Sequence, residues 1–214
     1  MSEQTRTRLL EGALRSLGRE GIAATSARSI AAAAGVNQAL VFYHFGSVEE
    51  LLVAACHHGA RQRVARYRGG FAEVTTLGGL LELGRRLHAQ ERELGHVAVM
   101  AQLLAGARTH PRLAAATAAG LELWVGEIEG VLERILAGSA VEGIVDVPGL
   151  ARAVAASFTG LELYEGVDEQ GAQRALDALA QLAALAAVLE ELGPLAQRAL
   201  RARLRRAAEG RGGG

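Results

Sequence analysis

An all-helical fold is predicted for this chain of 214 residues by three observations. Apolar side chains recur at steps of three and four, no stretch shows the period-two alternation of a strand, and glycines, prolines and short polar breaks separate the periodic segments. About nine or ten helices are expected. They divide into an N-terminal three-helix helix-turn-helix domain over residues 1–46, a C-terminal helical bundle over residues 47–208, and a disordered tail at 209–214.

Each element follows from its residues. Thr5 to Leu17 carries Leu9, Leu10, Ala13, Leu14 and Leu17 on one side and runs into a Gly-Arg-Glu-Gly break. Thr25 or Ser26 can cap a helix whose apolar positions include Ile30, Ala31 and Ala34, and Gly35 can take the left-handed backbone that ends it. Val36 then supplies the hydrophobic contact expected after such a glycine, and Asn37 can cap a second helix through Ala39, Val41 and Phe42 toward Phe45. That is helix-turn-helix spacing. Ser47 starts a longer helix reaching about Arg68, with a break expected at Gly69 and Gly70. Further helices are expected over Leu77 to Glu93, His96 to Thr109 and Pro111 to Leu136, forming a core bundle. After a loop at 138–145, Asp146 and Pro148 open a helix to about Tyr164, and Asp168 opens another to Leu192. Gly193 and Pro194 precede a last basic amphipathic helix.

The second short helix has the chemistry of a reader of base edges. Val41 and Phe45 lie four apart and can pack, while Gln38, Ala39 and Phe42 lie on another face. The Gln38 amide can pair with an adenine edge, Ala39 lets backbone approach, and Leu40 or Phe42 can touch a thymine methyl. Tyr43 and His44 fall near the helix end, where a hydroxyl and an imidazole can hold phosphates.

Residues Leu9 to Leu52 resemble the DNA-binding domain of the TetR (TetR/AcrR) family of bacterial transcriptional regulators. Thr25, Arg28, Ile30, Ala31, Ala34, Gly35, Val36, Tyr43, His44, Phe45, Glu50 and Leu51 carry the resemblance at the family's spacing without a gap. Asn37, Ala39 and Phe42 stand where serine, glycine and tyrosine are frequent, and Val48 stands where the family usually has a lysine that meets phosphate. The amino end of the helix capped by Ser47 can still offer backbone N–H groups to a phosphate. The candidate DNA-contacting set is Thr25, Ser26, Arg28, Asn37, Gln38, Ala39, Leu40, Phe42, Tyr43 and His44.

Composition narrows the function classes. Half the residues are hydrophobic and 4% aromatic, and no run of about 18 apolar residues occurs, so no membrane partner is expected. The first residues mix charge through their apolar positions, unlike a signal peptide, and a cytoplasmic protein is expected. Net charge is zero, but residues 1–46 carry +2 and the remainder −2, a modest bias of the sign that DNA requires. All 23 basic residues are arginine, a coding bias without functional meaning. Cys56 is the single cysteine and reads as a small packed thiol.

No enzyme is expected. The six histidines show no HExxH spacing, and adjacent His57 and His58 point apart on a helix, so neither a metal nor another cofactor is implied. No GxGxxG, GxSxG or P-loop occurs; Glu122, Glu162 and Glu165 are weak catalytic candidates better read as a solvated face.

The resemblance implies a small-molecule pocket in the C-terminal part. Its candidate lining is His88, His96, Met100, Leu103, Leu104, Trp124, Phe158, Leu161 and Tyr164, which suits a hydrophobic or aromatic effector; ordinary core packing is the alternative for each. Ala175, Leu179, Leu182, Ala186 and Leu189 follow steps of four and three, the seam of helices crossing at a shallow angle. In the family the penultimate helices pair with their copies, so this seam resembles a homodimer surface, with intramolecular core as the alternative. Two short reading helices in a dimer can address a palindromic operator in double-stranded DNA that one could not hold. The expectation is a homodimeric repressor relieved by a small molecule. The alternative is a small-molecule sensing or binding helical protein with weak or lost DNA binding, a reading prompted by Val48.

Overall fold

The computed structural model describes residues 2–190, 198–199, 201–203 and 206. Among the described residues nine helices occur: α1 (Ser2–Glu20), α2 (Ala27–Ala34), α3 (Ala39–Phe45), α4 (Val48–Glu73), α5 (Leu77–Glu93), α6 (His96–Ala107), α7 (Pro111–Leu136), α8 (Val147–Glu165) and α9 (Glu169–Glu190). The all-helical expectation holds, and α7 has the expected bounds. The breaks at Gly193 and Pro194 and the tail at 209–214 lie outside the described residues.

Three helices differ from expectation in extent: α6 ends at Ala107 instead of Thr109, and α1 and α4 are longer than expected. α1 extends beyond Thr5 and Leu17 at both ends, continuing through Gly18 to Glu20. α4 does not break at Gly69 and Gly70 but runs to Glu73. Two glycines in a helix interior cost roughly 1 kcal/mol each against alanine, a penalty that tertiary packing offsets. Phe71 is 4% and Val74 7% exposed, a Cβ on Gly70 would meet Leu83 Cδ1 at 3.1 Å, and Arg134 Nη2 donates to the Phe71 carbonyl at 2.7 Å.

The chain forms two compact units: residues up to Tyr67 with His88–Trp124, and Arg68–Leu87 with the chain from Val125 onward. The first unit is built on one apolar core. Leu9 and Leu17 of α1, Ile30 of α2, Val41 of α3 and Leu51 of α4 are fully buried, joined by Leu103 and Leu113. Burying each such side chain is worth roughly 1.5–3 kcal/mol. α1 and α2 approach closely because position 12 is glycine. A Cβ there would meet Ala34 Cβ at 2.8 Å and the Ile30 carbonyl at 3.0 Å. Ser16, 1% exposed, shares a hydrogen bond with Ser29 Oγ at 2.9 Å, so even the polar contact between these helices is satisfied.

The other side of α1 meets α6. Val99 Cγ2 lies 3.0 Å from where a Gly18 Cβ would stand, and the Ile22 backbone N–H donates to Gln102 Oε1 at 3.0 Å. In the second unit Phe71, Leu80, Leu83, Val131, Leu132 and Ala151 are buried. Here α8 packs on α9, and Arg85 of α5 pairs with Asp177 of α9 at 2.8 Å.

Candidate nucleic-acid interface

Local chemistry sets the turn. The Ser26 side chain accepts from the Ser29 backbone N–H at 3.2 Å while Ser29 Oγ accepts from Ser26 N at 2.9 Å, a reciprocal cap worth about 1 kcal/mol. Gly35 ends α2 at φ 63°, the left-handed region that glycine enters without strain. Val36 N donates to the Ala31 carbonyl at 3.0 Å, and its side chain packs on the core. Asn37 Oδ1 then accepts from Ala39 N at 2.8 Å and starts α3. Ser47 Oγ does the same for α4, accepting from Glu50 N at 3.1 Å.

Within α3 the faces divide as the sequence suggests. Val41 is 0% exposed and Phe45 packs half-buried on the core, whereas Gln38 and Ala39 are exposed, Phe42 is 50% exposed and Tyr43 81%. The Tyr43 and His44 rings meet edge to face with centroids 5.0 Å apart. Ser26, Arg28 and Asn37 are exposed beside this edge in the chain, and His44 is half-buried. Two members of the candidate set turn elsewhere. Leu40 is half-buried and packs on the core, and the Thr25 hydroxyl donates back to the Gly21 carbonyl at 2.7 Å.

Three arginines of α1, read in the sequence only as positive charge, brace this motif. Arg8 Nη2 donates to the Gly35 carbonyl at 2.8 Å and Arg15 Nη2 to the Ala33 carbonyl at 2.9 Å. Arg6 sits over the Phe45 ring at 5.2 Å, a cation–π contact. Charge-assisted bonds to carbonyls at the end of α2 satisfy acceptors that a helix leaves orphaned.

The nine candidate ligand residues separate between the units. In the first, His96 and Trp124 belong to a partly buried polar and aromatic node. Glu91, 7% exposed, accepts from Tyr67 Oη at 2.8 Å and pairs with Arg63 Nη1 at 3.3 Å and His96 Nδ1 at 3.1 Å. The Trp124 ring lies 6.0 Å from that of Tyr67. Burial would raise the Glu91 carboxyl, but hydrogen bonds from His96 and Tyr67 and the charges of Arg63 and His96 hold it below the usual carboxylate range. The Tyr67 hydroxyl is pushed up, first by burial and then by its bond to Glu91. Arg63, Tyr67 and Glu91 were not legible as a group, because 28 residues separate the outer two. Leu103, 2% exposed, is a member of the core, while His88, Met100 and Leu104 are half-buried.

In the second unit Phe158 lies over Gly84, where any Cβ would overlap its ring. Leu161 and Tyr164 instead share an open groove of about 530 Å³ with Ala175, Leu179 and Leu182 of the α9 seam. Leu182 is 62% exposed, so packing among the described residues leaves it uncovered. Ala186 is half-buried, and the Leu189 side chain lies outside the described residues. Cys56 is buried with its sulfur 4.0 Å from Thr117 Oγ1, and burial pushes its thiol up.

A capped turn presenting one exposed helical edge, on an otherwise all-helical chain, is the architecture of a DNA-binding transcription regulator. Residues 9–55 match the family model for bacterial regulatory proteins of the tetR family. The match covers the helix-turn-helix segment and the first part of α4. Solved structures agree in fold. A protein from Rhodococcus sp. assigned to that family is 23% identical, with 85% of this chain and 97% of that one covered and a TM-score of 0.70. The candidate regulator SCO7518 from Streptomyces coelicolor A3(2) is 26% identical, with 84% and 98% covered and a TM-score of 0.64. FadR from Bacillus subtilis, solved with stearoyl-CoA, is 15% identical, with 82% and 96% covered and a TM-score of 0.68. No curated protein matches by sequence. Among the described residues no single helix is long and apolar enough to cross a membrane, and no three His, Cys, Asp or Glu side chains gather as a metal site.

Proposed function

We propose that this regulator is a repressor that binds a palindromic operator as a homodimer and releases it on binding a small molecule. The observation that carries the reading is the division of α3, with Val41 fully buried while Gln38, Ala39, Phe42 and Tyr43 stand exposed. Gln38 and Phe42 would read base edges, Tyr43, His44 and Arg28 would hold phosphates, and the caps at Ser26 and Asn37 would keep the edge in place. Leu40 would serve the packing of α3. The exposed seam of α9 supports pairing of two chains, which sets two reading helices on successive major grooves.

The effector is proposed to be hydrophobic or aromatic. Support comes from the ligand seen with FadR from Bacillus subtilis and from the node of Tyr67, Glu91, His96 and Trp124, which offers aromatic surface beside hydrogen-bonding groups. Effector binding would shift the dimer population away from the spacing that fits the operator; a change of ~10²–10³ in affinity, about 3–4 kcal/mol, suffices. Fluorescence anisotropy with labelled DNA from upstream of the coding region, at low salt, tests the reading. Saturable binding that exceeds binding to random DNA is expected, and no binding to any upstream fragment would overturn it.

Val48 favours one second reading, a helical sensor with weakened DNA affinity. It packs half-buried against the core at the start of α4 and offers no charge to a phosphate. The same titration separates the two, since this reading predicts equal, weak binding to all fragments.

A further inference from the structure

Two arginines of α1 bracket α3. At its start, Arg8 Nη2 donates to the Gly35 carbonyl at 2.8 Å, on the turn that launches the helix. At its end, the Arg6 guanidinium lies over the Phe45 ring, 5.2 Å from the centroid. The seven residues of α3 rise roughly 10 Å between them, close to the width of a major groove, about 12 Å. Both cations keep their charge. Arg6 and Arg8 are exposed, and among the described residues neither forms an ion pair. Both keep donors as well, because the bond to Gly35 uses only one guanidinium N–H and stacking on Phe45 uses none. Arg15 differs on each count. It makes a similar bond, to the Ala33 carbonyl at 2.9 Å, but it lies beside α2 and its charge is met by Glu11 at 3.8 Å.

We infer that Arg6 and Arg8 contact DNA phosphates, one at each end of α3, and so set how the reading helix sits in the groove. A helix whose first residues meet base edges has the turn before it at the mouth of the groove, where the backbone of the duplex runs. The planar fork of a guanidinium fits a phosphate. A side chain already tethered to Gly35 or to Phe45 loses less freedom on making that contact than an unanchored one. Phosphate contacts position a protein without reading sequence, so these two are positioning residues, distinct from the base-reading edge of α3. The inference rests on the DNA-binding reading and extends the interface from the helix-turn-helix to α1.

The test follows the affinity of the full chain for upstream and random duplexes across a series of salt concentrations, by fluorescence anisotropy. Each phosphate contact adds about −0.9 to the slope of log K against log salt. Arg6→Gln and Arg8→Gln should each flatten the slope by about that amount per bound subunit, on both duplexes alike. Arg6→Lys and Arg8→Lys, which keep the charge, should retain the slope. Arg15→Gln, the matched brace, should leave it unchanged. Arg6→Gln keeps the Gly35 bond intact, so it decides the matter even if Arg8→Gln weakens the fold. A brace without a phosphate contact would lower the melting temperature and leave the salt slope of the unaltered protein, and that result would overturn the inference. Equal flattening by Arg15→Gln would overturn it too, by tracing the effect to net charge. An unaltered protein that bound neither duplex would instead sink the DNA-binding reading, and this inference with it.

Discussion

Arg8 and Gly35 are joined across 27 residues by a guanidinium-to-carbonyl hydrogen bond of 2.8 Å, which ties the first helix to the turn that launches α3. The bond is solvent-exposed, so its net worth is modest, about 1 kcal/mol. Arg8→Ala should lower the melting free energy by that amount. It should also weaken operator binding, because the turn then holds α3 less firmly. Thermal unfolding and anisotropy on the same variant check both; a stability loss with unchanged operator affinity would limit Arg8 to a structural role.

Gln38 and Arg28 should separate base reading from phosphate contact. Gln38→Ala is expected to cost ~1–3 kcal/mol on the operator and relax preference at one or two base pairs. Arg28→Ala should weaken all sequences alike and flatten the salt slope by about one. Titrations against operator and random DNA at several salt concentrations distinguish them. Equal losses on both DNAs for Gln38→Ala would remove it from the base-reading set.

The Glu91 node makes acid sensitivity predictable in sign. A carboxyl whose folded value is depressed contributes its stabilisation in full above the unfolded value of about 4.3 and loses it as pH falls through the lower folded value. Glu91→Ala strands the largely buried Arg63 and should cost about 3 kcal/mol near neutral pH. The deficit relative to the unaltered protein should shrink below about pH 4, which denaturant titrations at pH 7 and pH 3.5 would measure. A deficit that stayed constant across that interval would show that the ionised form is not the stabilising one.

The outer row of α9 should govern association. Leu182, Leu185 and Val188 are each about 60% exposed, more apolar surface along one helix than an isolated subunit usually leaves in water. Leu182→Glu should shift the chain toward monomer by at least tenfold in dissociation constant and weaken operator binding with it. Sedimentation velocity checks the first and anisotropy the second; an unchanged sedimentation profile would assign the pairing surface elsewhere.

Much of this was legible because it is local. Ser26, Gly35, Asn37 and Ser47 declare their roles through neighbours within a few residues, and periodicity alone gives the buried edge of α3 and the extent of α7. What escaped is non-local. The bonds of Arg8 and Arg15 to backbone carbonyls and those of Arg63 and Tyr67 to Glu91 join residues 18 to 28 apart in sequence, and nothing in Arg8 or Glu91 alone marks its partner. Gly69 and Gly70 misled for the same reason, since the packing of Phe71 and Val74 outweighs their local penalty. That Leu161 and Tyr164 share a groove with Ala175, Leu179 and Leu182 of α9 is likewise non-local, since their residue types do not mark that neighbour.

Gly12 has a consequence for how such a regulator can acquire new targets. Because α1 and α2 touch there without a side chain between them, any replacement would pry the two helices apart and tilt whatever follows the turn. Positions 38, 39, 42 and 43 face outward and carry no such burden. Diversification of operator preference is thereby channelled into a handful of interchangeable side chains, while the chassis that presents them is held to a single solution at one atom-sized gap.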